Sequence, residues 1–380
     1  MKFFKLVPVF LAIFFLSSCG SSNINYNKGL FVSKKLKTDW KYLSYSEGGR
    51  KKSSLSESVN MFKINPQNQK EIFAGTTNGF FKSTDRGRKF IKSDAKLASV
   101  YAIAVSKLDP KFILASGVSS SNFGRVSKSV DGGKTFSEIF TGRVAKSGIQ
   151  GLAIKPDNKD VILIGTENGE ILKSTDGGES WRITFQVFGN KAKIKFLNFD
   201  ETSTSIAYFL VNNDGFYFSK DAGESFELMT EKSRNSIFNF DKTSQDVFSN
   251  YTFYHLEAVP NKSGNYFLVT EDQIYKTSDF GRTWNEVKFI VKPGNTTIYS
   301  IGIDPENINR IFVGTTGAIF KTENGGETWS EKDFSDMNNG AVVDFEFTKN
   351  EYDVSGNLIY EGEVFGAVNG KIRGKSGFFG

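Results

Sequence analysis

Aspartates recur along this sequence at a nearly constant spacing, and they are the first residues whose type and placement could support chemistry. Each stands in a pattern of Ser or Thr, any residue, Asp, any residue, Gly, two further residues and an aromatic residue, with one asparagine in the Asp position. Carboxylates that converge could bind a divalent cation or act as acid and base in hydrolysis. The pattern favours another role, in which each carboxylate accepts N–H bonds from its own turn. We therefore predict turn-stabilising residues, no metal site and no cofactor for the following set: Ser83, Asp85, Gly87, Asp131, Gly133, Asp176, Gly178, Asp221, Gly223, Asp279, Gly281, Asn324 and Gly326.

A second set of ionisable residues emerges when the apolar segments that precede the repeats are aligned on the turns that follow them. At two positions of each segment most repeats carry small residues, whereas three repeats carry Lys63, His255, Glu257, Asp344 and Glu346. Side chains at these positions point to the same face of a strand, so we expect a mainly acidic cluster in which Lys63 reaches Glu346. Such groups shift one another's pKa values, because like charges resist joint ionisation. Two interpretations stay open: an ion-pair network that locks the fold, or a ligand or cation site.

Other catalytic templates are missing from the sequence. The chain has one cysteine, Cys19, and one histidine, His255, and no Gly-rich phosphate loop joins a strand to a helix. The sequence thus favours a binding protein over an enzyme, with a glycoside hydrolase or lyase site in a central channel as the alternative.

The repeat spacing predicts the elements that position these residues. The pattern begins at residues 83, 129, 174, 219, 277 and 322, so its copies are 46, 45, 45, 58 and 45 residues apart. A period near 45 residues fits four short strands and their turns, which is one blade of a β-propeller. Six sets of strands are complete, and a seventh follows at 342–348, 358–368 and 370–375 without a fourth strand.

The N-terminal region supplies the missing strand in this interpretation. Three of the four tryptophans hold the aromatic position of the repeat, and the fourth, Trp40, begins a strand-like segment at 40–45. We predict an all-β, seven-bladed β-propeller over residues 38–380, closed by an N-terminal outer strand in the last blade. Closure of this kind leaves no free sheet edge.

The repeats resemble the BNR or Asp-box family, whose members include sialidases, xyloglucan-degrading hydrolases, sortilin-like receptors and photosystem II assembly factors. The resemblance covers residues 38–380 and implies the propeller fold more strongly than any activity. The Arg-Ile-Pro motif that the resemblance would imply for a sialidase is absent, since Arg310-Ile311 is followed by Phe312. The xyloglucan enzymes use a cleft between two propellers, which one propeller cannot form. The resemblance therefore implies a binding, assembly or receptor-like role.

The first residues of the chain are typical of an exported lipoprotein. A basic start and a short apolar run precede Leu16-Ser17-Ser18-Cys19, which resembles a lipobox. We predict a signal peptide at 1–18, lipidation of Cys19 and a flexible tether at 19–37. Acyl chains would then anchor the protein to a membrane at the cell envelope. Gly20 rather than Asp follows Cys19, which in a Gram-negative cell implies the outer membrane.

The longest gap between repeats predicts an inserted loop at 229–253 that carries Phe238, Phe240, Phe248 and Tyr251. Aromatic residues on a long loop are common binding elements, although such a loop can also fold back on its own blade. The net charge of +6 is too small to indicate nucleic-acid binding. We expect a monomer that binds a protein or glycan ligand.

Overall fold

The strands of this chain form seven four-stranded antiparallel sheets arranged as the blades of a propeller. A computed structural model describes residues 29–34, 41–42, 55, 58–145, 147–188, 193–212, 214–229, 252–289, 296–333, 340–352, 354–355 and 358–369. The all-β, seven-bladed fold predicted from the repeat period is confirmed. Within these described ranges, no helix is long and apolar enough to cross a membrane.

Blades one to six each contain four consecutive strands, ordered from the inner strand at the central channel to the outer strand. Blade one comprises β3 (Val59–Ile64), β4 (Ile72–Thr76), β5 (Gly79–Ser83) and β6 (Phe90–Ser93). Blade two comprises β7 (Ser99–Val105), β8 (Ile113–Val118), β9 (Phe123–Ser129) and β10 (Ser137–Ala145). Blade three comprises β11 (Ile149–Lys155), β12 (Asn158–Thr166), β13 (Glu170–Ser174) and β14 (Arg182–Gln186).

The next three blades follow the same order. Blade four comprises β15 (Ile194–Phe199), β16 (Ala207–Val211), β17 (Gly215–Ser219) and β18 (Glu227–Leu228). Blade five comprises β19 (His255–Ala258), β20 (Tyr266–Val269), β21 (Ile274–Thr277) and β22 (Asn285–Val287). Blade six comprises β23 (Ile298–Ile303), β24 (Ile311–Thr315), β25 (Ala318–Thr322) and β26 (Ser330–Asp333).

The Asp-box turns join the third and fourth strands, as the pattern predicts. In blade three, the Ser174 hydroxyl donates to Asp176 Oδ1 at 2.7 Å and accepts the amide of Gly178 at 2.8 Å. Asp176 Oδ1 also accepts the amides of Glu179 and Ser180 at 3.0 and 2.9 Å. The turn is therefore closed by hydrogen bonds within eight residues, and the donors of the Asp176 carboxylate named here all belong to its own turn.

The hydrophobic core lies between neighbouring sheets, where aromatic residues fill the space. Phe209 and Tyr217 of blade four stack with ring centroids 4.7 Å apart, and Phe226 of the Asp box meets Phe209 edge-on at 5.0 Å. Trp181 of blade three reaches back to blade two, where its indole Nε1 donates to the carbonyl of Ile139 at 3.0 Å. The aromatic residue of each box therefore belongs to the packing between blades as well as to its own turn.

Two N-terminal strands, rather than one, complete blade seven. Its sheet contains β27 (Ala341–Phe347), β30 (Glu363–Asn369), β1 (Gly29–Lys34) and β2 (Lys41–Tyr42), in that order outward. Closure by N-terminal residues is confirmed, with β2 at the outer edge, but β1 occupies the third position that was predicted for residues 370–375. Residues 29–34 therefore belong to the propeller and not to a tether at 19–37, and the domain begins before residue 38. Residues 370–380 lie outside the described part of the chain.

The segment 358–368, predicted as one strand, is divided in the structure. Residues 358–360 form β29 (Leu358–Tyr360), which pairs with β28 (Glu351–Tyr352) in a separate two-stranded hairpin. The hairpin is held against blade one, where Arg86 donates to Glu351 Oε1 at 3.0 Å and lies 3.5 Å from the centre of the Tyr360 ring. No Asp box marks blade seven, so the sequence offered no fixed point for its strand register.

Candidate functional site

The inner strands place three ionisable side chains at equivalent positions. Lys63 lies opposite Phe73, Glu257 opposite Phe267, and Glu346 opposite Phe365 in their respective strand pairs. His255 and Asp344 precede Glu257 and Glu346 by two residues on the same strands. The inner strands of blades one, five and seven, aligned on the turns that follow them, therefore have the same register in the structure.

Blades seven and one are joined by polar contacts of this cluster. Lys63 Nζ donates to Glu346 Oε1 in an ion pair across the closure. Asp344 is buried, and its Oδ2 accepts the backbone amide of Phe62 at 3.0 Å. Its second oxygen, Oδ1, accepts the amide of Phe345 at 3.0 Å. The Asp344 carboxylate therefore satisfies a backbone donor of the inner strand of the neighbouring blade, which an apolar residue there would leave unpaired.

The electrostatics of the cluster follow from an excess of carboxylates over cations. Burial raises the pKa of Glu346 to about 7; nearby Lys63 opposes this shift, while Asp344 and Glu257 add to it. Burial likewise raises the pKa of Asp344, against the attraction of Lys63. Burial alone would lower the pKa of Lys63, but the charges of Glu346, Asp344 and Glu257 outweigh it and raise this pKa. The pKa of Glu346 shifts upward mainly because the group is buried, and that of Lys63 shifts upward because its ammonium group faces three carboxyl groups.

The remaining pair of the cluster lies on blade five. His255 Nε2 is 3.4 Å from Glu257 Oε2, and the His255 ring lies 5.6 Å from the ring of Phe196 of blade four. The charge of Glu257 shifts the pKa values of Lys63, Asp344 and Glu346. Blade five therefore contributes to the electrostatic field at the contact between blades seven and one. Across the described residues, no three His, Cys, Asp or Glu side chains are arranged to hold a metal ion.

The predicted Asp-box residues lie apart on their own turns. Hydrogen bonds within each turn favour the ionised form of these carboxylates. For Asp221, burial alone would raise the pKa, but hydrogen bonds from Ser225 and Ser219 outweigh this effect and lower the pKa to about 2. Asn324 replaces Asp in blade six without loss of the turn, because its amide oxygen accepts the Thr322 hydroxyl at 2.8 Å and the Thr328 amide at 3.0 Å. Cys19, Phe238, Phe240, Phe248 and Tyr251 lie outside the described residues.

Sequence reasoning missed a ring of half-buried side chains near the first residue of each inner strand. In five inner strands a register shift inserts one extra residue directly after a buried apolar residue near the start of the strand. In blade four Lys195 follows buried Ile194 in the same way but pairs with Leu210, and the shift comes later, between Lys195 and Asn198. On blade five, the amide of Tyr254 donates to the carbonyl of Val269 just before β19, and His255 pairs with the same residue. We call the residues at this position the bulge ring. Its members are Asn60, Tyr101, Gln150, Lys195, Tyr254, Tyr299 and Val343.

A sequence signal for the bulge ring does exist. Buried apolar residues stand three apart, as in Val59 and Phe62 or Ile149 and Leu152, whereas a regular strand would place them two or four apart. Ile298 and Ile301 repeat this spacing in blade six. An interval of three within a strand indicates a β-bulge, in which two consecutive residues oppose one partner.

Comparisons with known proteins agree with the fold. Residues 124–271, less than half of the chain, match the family model described as Sortilin, neurotensin receptor 3. A search of curated proteins found no match. The GH74 xyloglucanase of Xanthomonas campestris superposes with a TM-score of 0.60 at 17% identity, over 76% of this chain and 46% of that enzyme. This chain therefore spans less than half the length of that enzyme.

Two further structures are similar to this chain. The extracellular domain of a protein described as a one-component system from B. thetaiotaomicron superposes with a TM-score of 0.55 at 11% identity, over 88% of this chain and 40% of that one. The structure of YCF48 bound to D1 peptide aligns with 73% of this chain, over 96% of the YCF48 chain, at 12% identity. Its TM-score of 0.40 is too low to support an argument. At these identities the likenesses to the two higher-scoring structures establish the propeller fold and nothing about ligands.

Proposed function

We propose that this chain is a binding protein of the cell envelope, held at a membrane by lipid on Cys19 and presenting its propeller to a protein or glycan ligand. The observation that carries this proposal is the use of the central carboxylates. Asp344 accepts backbone amides of Phe62 and Phe345, and Glu346 is paired with Lys63. These groups hold blade seven to blade one, so we assign them a structural role and place recognition elsewhere on the propeller.

The anchoring part of the proposal is tested by fractionation of cells that express the full chain. Cys19→Ala removes the only thiol that acyl chains could modify, so we expect the variant to leave the membrane fraction or to accumulate as an unprocessed precursor. Ser22→Ala, three residues further on, is the matched control and should stay with membranes. A Cys19→Ala protein that fractionates like the control would overturn the lipoprotein assignment. In a Gram-negative cell we expect the outer membrane.

The binding part is tested by chemical crosslinking in native membranes, followed by purification of the lipidated protein. We expect one or a few envelope components to crosslink reproducibly to the wild-type chain. A protein that crosslinks to nothing and binds no glycan would contradict the proposed role.

A second function, hydrolysis or elimination of a glycan in the channel, is favoured by one observation. The pKa of Glu346 is raised to about 7, so a substantial fraction of this carboxyl group is protonated near neutral pH and could act as a general acid. Glu257 is a second carboxylate whose charge acts on Glu346. The double variant Glu257→Gln and Glu346→Gln separates the two roles. A changed melting temperature with intact ligand binding supports the structural role, whereas loss of a measured glycan-cleaving activity at unchanged melting temperature supports the enzyme.

A further inference from the structure

We infer that five members of the bulge ring, Tyr101, Gln150, Lys195, Tyr254 and Tyr299, form a binding site for an acidic oligosaccharide, such as one that contains uronic acid. The inference rests on the proposed binding function and names its ligand class. These residues belong to blades two to six in sequence order, so they follow one another as an arc around the channel rim.

The aromatic members of the arc are held in place by contacts between blades. Tyr254 and Tyr299 of adjacent blades meet edge-on with ring centroids 5.3 Å apart. Tyr101 packs over Gly148 of the next blade so closely that a Cβ at Gly148 would lie 2.6 Å from Tyr101 Cε2. All three rings are half-buried, which fixes their orientation and leaves part of each ring open to a ligand. Sugar rings carry apolar C–H faces that pack against such aromatic surfaces.

A polar network lies next to the rings on blade three. Glu167 Oε1 accepts Gln150 Nε2 at 2.6 Å and Lys193 Nζ at 3.3 Å, while its Oε2 accepts the amide of Gly148 at 3.0 Å. The network fixes the amide of Gln150 at the rim and leaves that side chain further hydrogen-bonding capacity. A donor and an acceptor at one place suit vicinal hydroxyl groups, which donate and accept in turn.

Lys195 provides the charge preference. Within the described part of the chain its ammonium group has no hydrogen bond and no ion pair, and it lies two residues after Lys193. Burial lowers the pKa of Lys195, and the charge of Lys193 lowers it further. The Glu167 carboxylate, already paired with Lys193, also attracts Lys195, so two ammonium groups face one carboxylate. A ligand carboxylate beside Lys195 therefore supplies negative charge that the chain provides only in part, which gains free energy.

Two hydroxyl groups of the arc are also available. Neither Tyr254 nor Tyr299 makes a hydroxyl hydrogen bond to another residue of the described ranges, and burial raises the pKa of Tyr254, which keeps its hydroxyl protonated. Rings that stack, hydroxyls that donate and one unpaired cation together match a sugar that bears a carboxylate. An acidic peptide would use the cation but would leave the hydroxyl and amide positions unexplained.

The test uses the full chain on an array of oligosaccharides, some neutral and some containing uronic acid, followed by calorimetry with the acidic oligosaccharide that binds best. Lys195→Met should weaken the binding of that acidic oligosaccharide by at least about tenfold and abolish the preference over its neutral counterpart. Tyr254→Ala should weaken both by about tenfold. Lys134→Met removes an exposed lysine at the Asp-box turn of blade two and should change neither.

The melting temperature of each variant is measured alongside, and Lys195→Gln replaces Lys195→Met if the latter does not fold. No binding to any oligosaccharide on the array, or binding that survives both substitutions, overturns the site. Binding of an acidic peptide at Lys195 with no binding of sugars overturns the ligand class. If the chain binds no oligosaccharide while the wild-type protein still crosslinks to an envelope protein, the proposed binding function survives and the inferred sugar site does not.

Discussion

Carboxyl groups of this protein show opposite pKa shifts in two kinds of surroundings. Asp221 is surrounded by donors of its own turn, which lower its pKa to about 2. Glu346 is buried beside other carboxyl groups, which raises its pKa to about 7 although Lys63 is in contact. The sequence distinguished the two sets, because the first stands in a local pattern and the second stands out only when repeats are aligned. The raised pKa of Glu346 depends on burial, which no local pattern contains, whereas the lowered pKa of Asp221 follows from hydrogen-bond donors that the pattern itself supplies.

The pKa of Glu346 predicts how stability depends on pH. The folded-state pKa is raised, so the protonated form contributes stability that is fully present below the unfolded value near 4.5 and is lost as pH rises through about 7. Because only 18% of the Glu346 side chain is exposed, the effect is on the order of 2–3 kcal/mol. We expect the melting temperature to fall by a few degrees between pH 5 and pH 8, and Glu346→Gln to remove most of this fall.

Glu227→Gln, on an exposed outer strand, is the control and should keep the wild-type pH profile. The pKa values of the Asp-box carboxylates are lowered, so the stability that they contribute to the fold is lost only well below pH 5. They therefore do not mask the effect of Glu346 between pH 5 and pH 8. A melting temperature that rises from pH 5 to pH 8 in the wild type but not in Glu346→Gln would contradict the assigned sign.

At the scale of elements, the inner strands were predicted in part. Their existence and the register of Lys63, Glu257 and Glu346 followed from apolar residues and turns in the sequence. The bulge ring was missed because a strict two-residue alternation was assumed, and one inserted residue moves the preceding side chains to the other face. Three residues of the inferred sugar site, Tyr101, Gln150 and Tyr299, are themselves inserted residues of this kind.

Two glycines with positive φ separate the cost of backbone strain from the cost of overpacking. Gly223 has φ of +82°, and a Cβ there would lie 2.7 Å from Leu163 Cδ1 of the previous blade. Gly317 has φ of +74°, but nothing lies within 4 Å of its Cβ position. We expect Gly317→Ala to lower the free energy of unfolding by about 1 kcal/mol, from backbone strain alone. Gly223→Ala should lower it by roughly 2–4 kcal/mol, because overpacking adds to that strain.

Chemical denaturation of the two variants measures this difference. Equal losses would show that Leu163 moves aside freely and that the close approach of blades three and four contributes nothing. A larger loss for Gly317→Ala would contradict the packing argument altogether.

At the scale of the whole molecule, the sequence predicted a closed ring but not the way it closes. Six Asp boxes fix the register of six blades, and the incomplete seventh set required strands from elsewhere. Blade seven lacks a box, so nothing local showed that 351–360 would form a hairpin or that 29–34 would pair with 363–369. That pairing joins residues more than 300 positions apart, and only tertiary packing determines such contacts.

The closure predicts a strong dependence of folding on residues 29–42. In the structure, β1 pairs with β30 from Gly29 opposite Val368 to Lys34 opposite Glu363, and Phe365 packs edge-on against Phe62 of blade one at 6.5 Å. A chain that begins at residue 43 would expose the edge of β30 and leave blade seven with two of its four strands. We expect its melting temperature to fall by more than about 10 °C and the protein to aggregate through the free edge. A chain that begins at residue 28 keeps both strands and should melt like the full chain in calorimetry. If the two truncated proteins melt at the same temperature, the closure by β1 and β2 contributes nothing to stability, and the ring must be held by the contacts of Lys63, Asp344 and Glu346 alone.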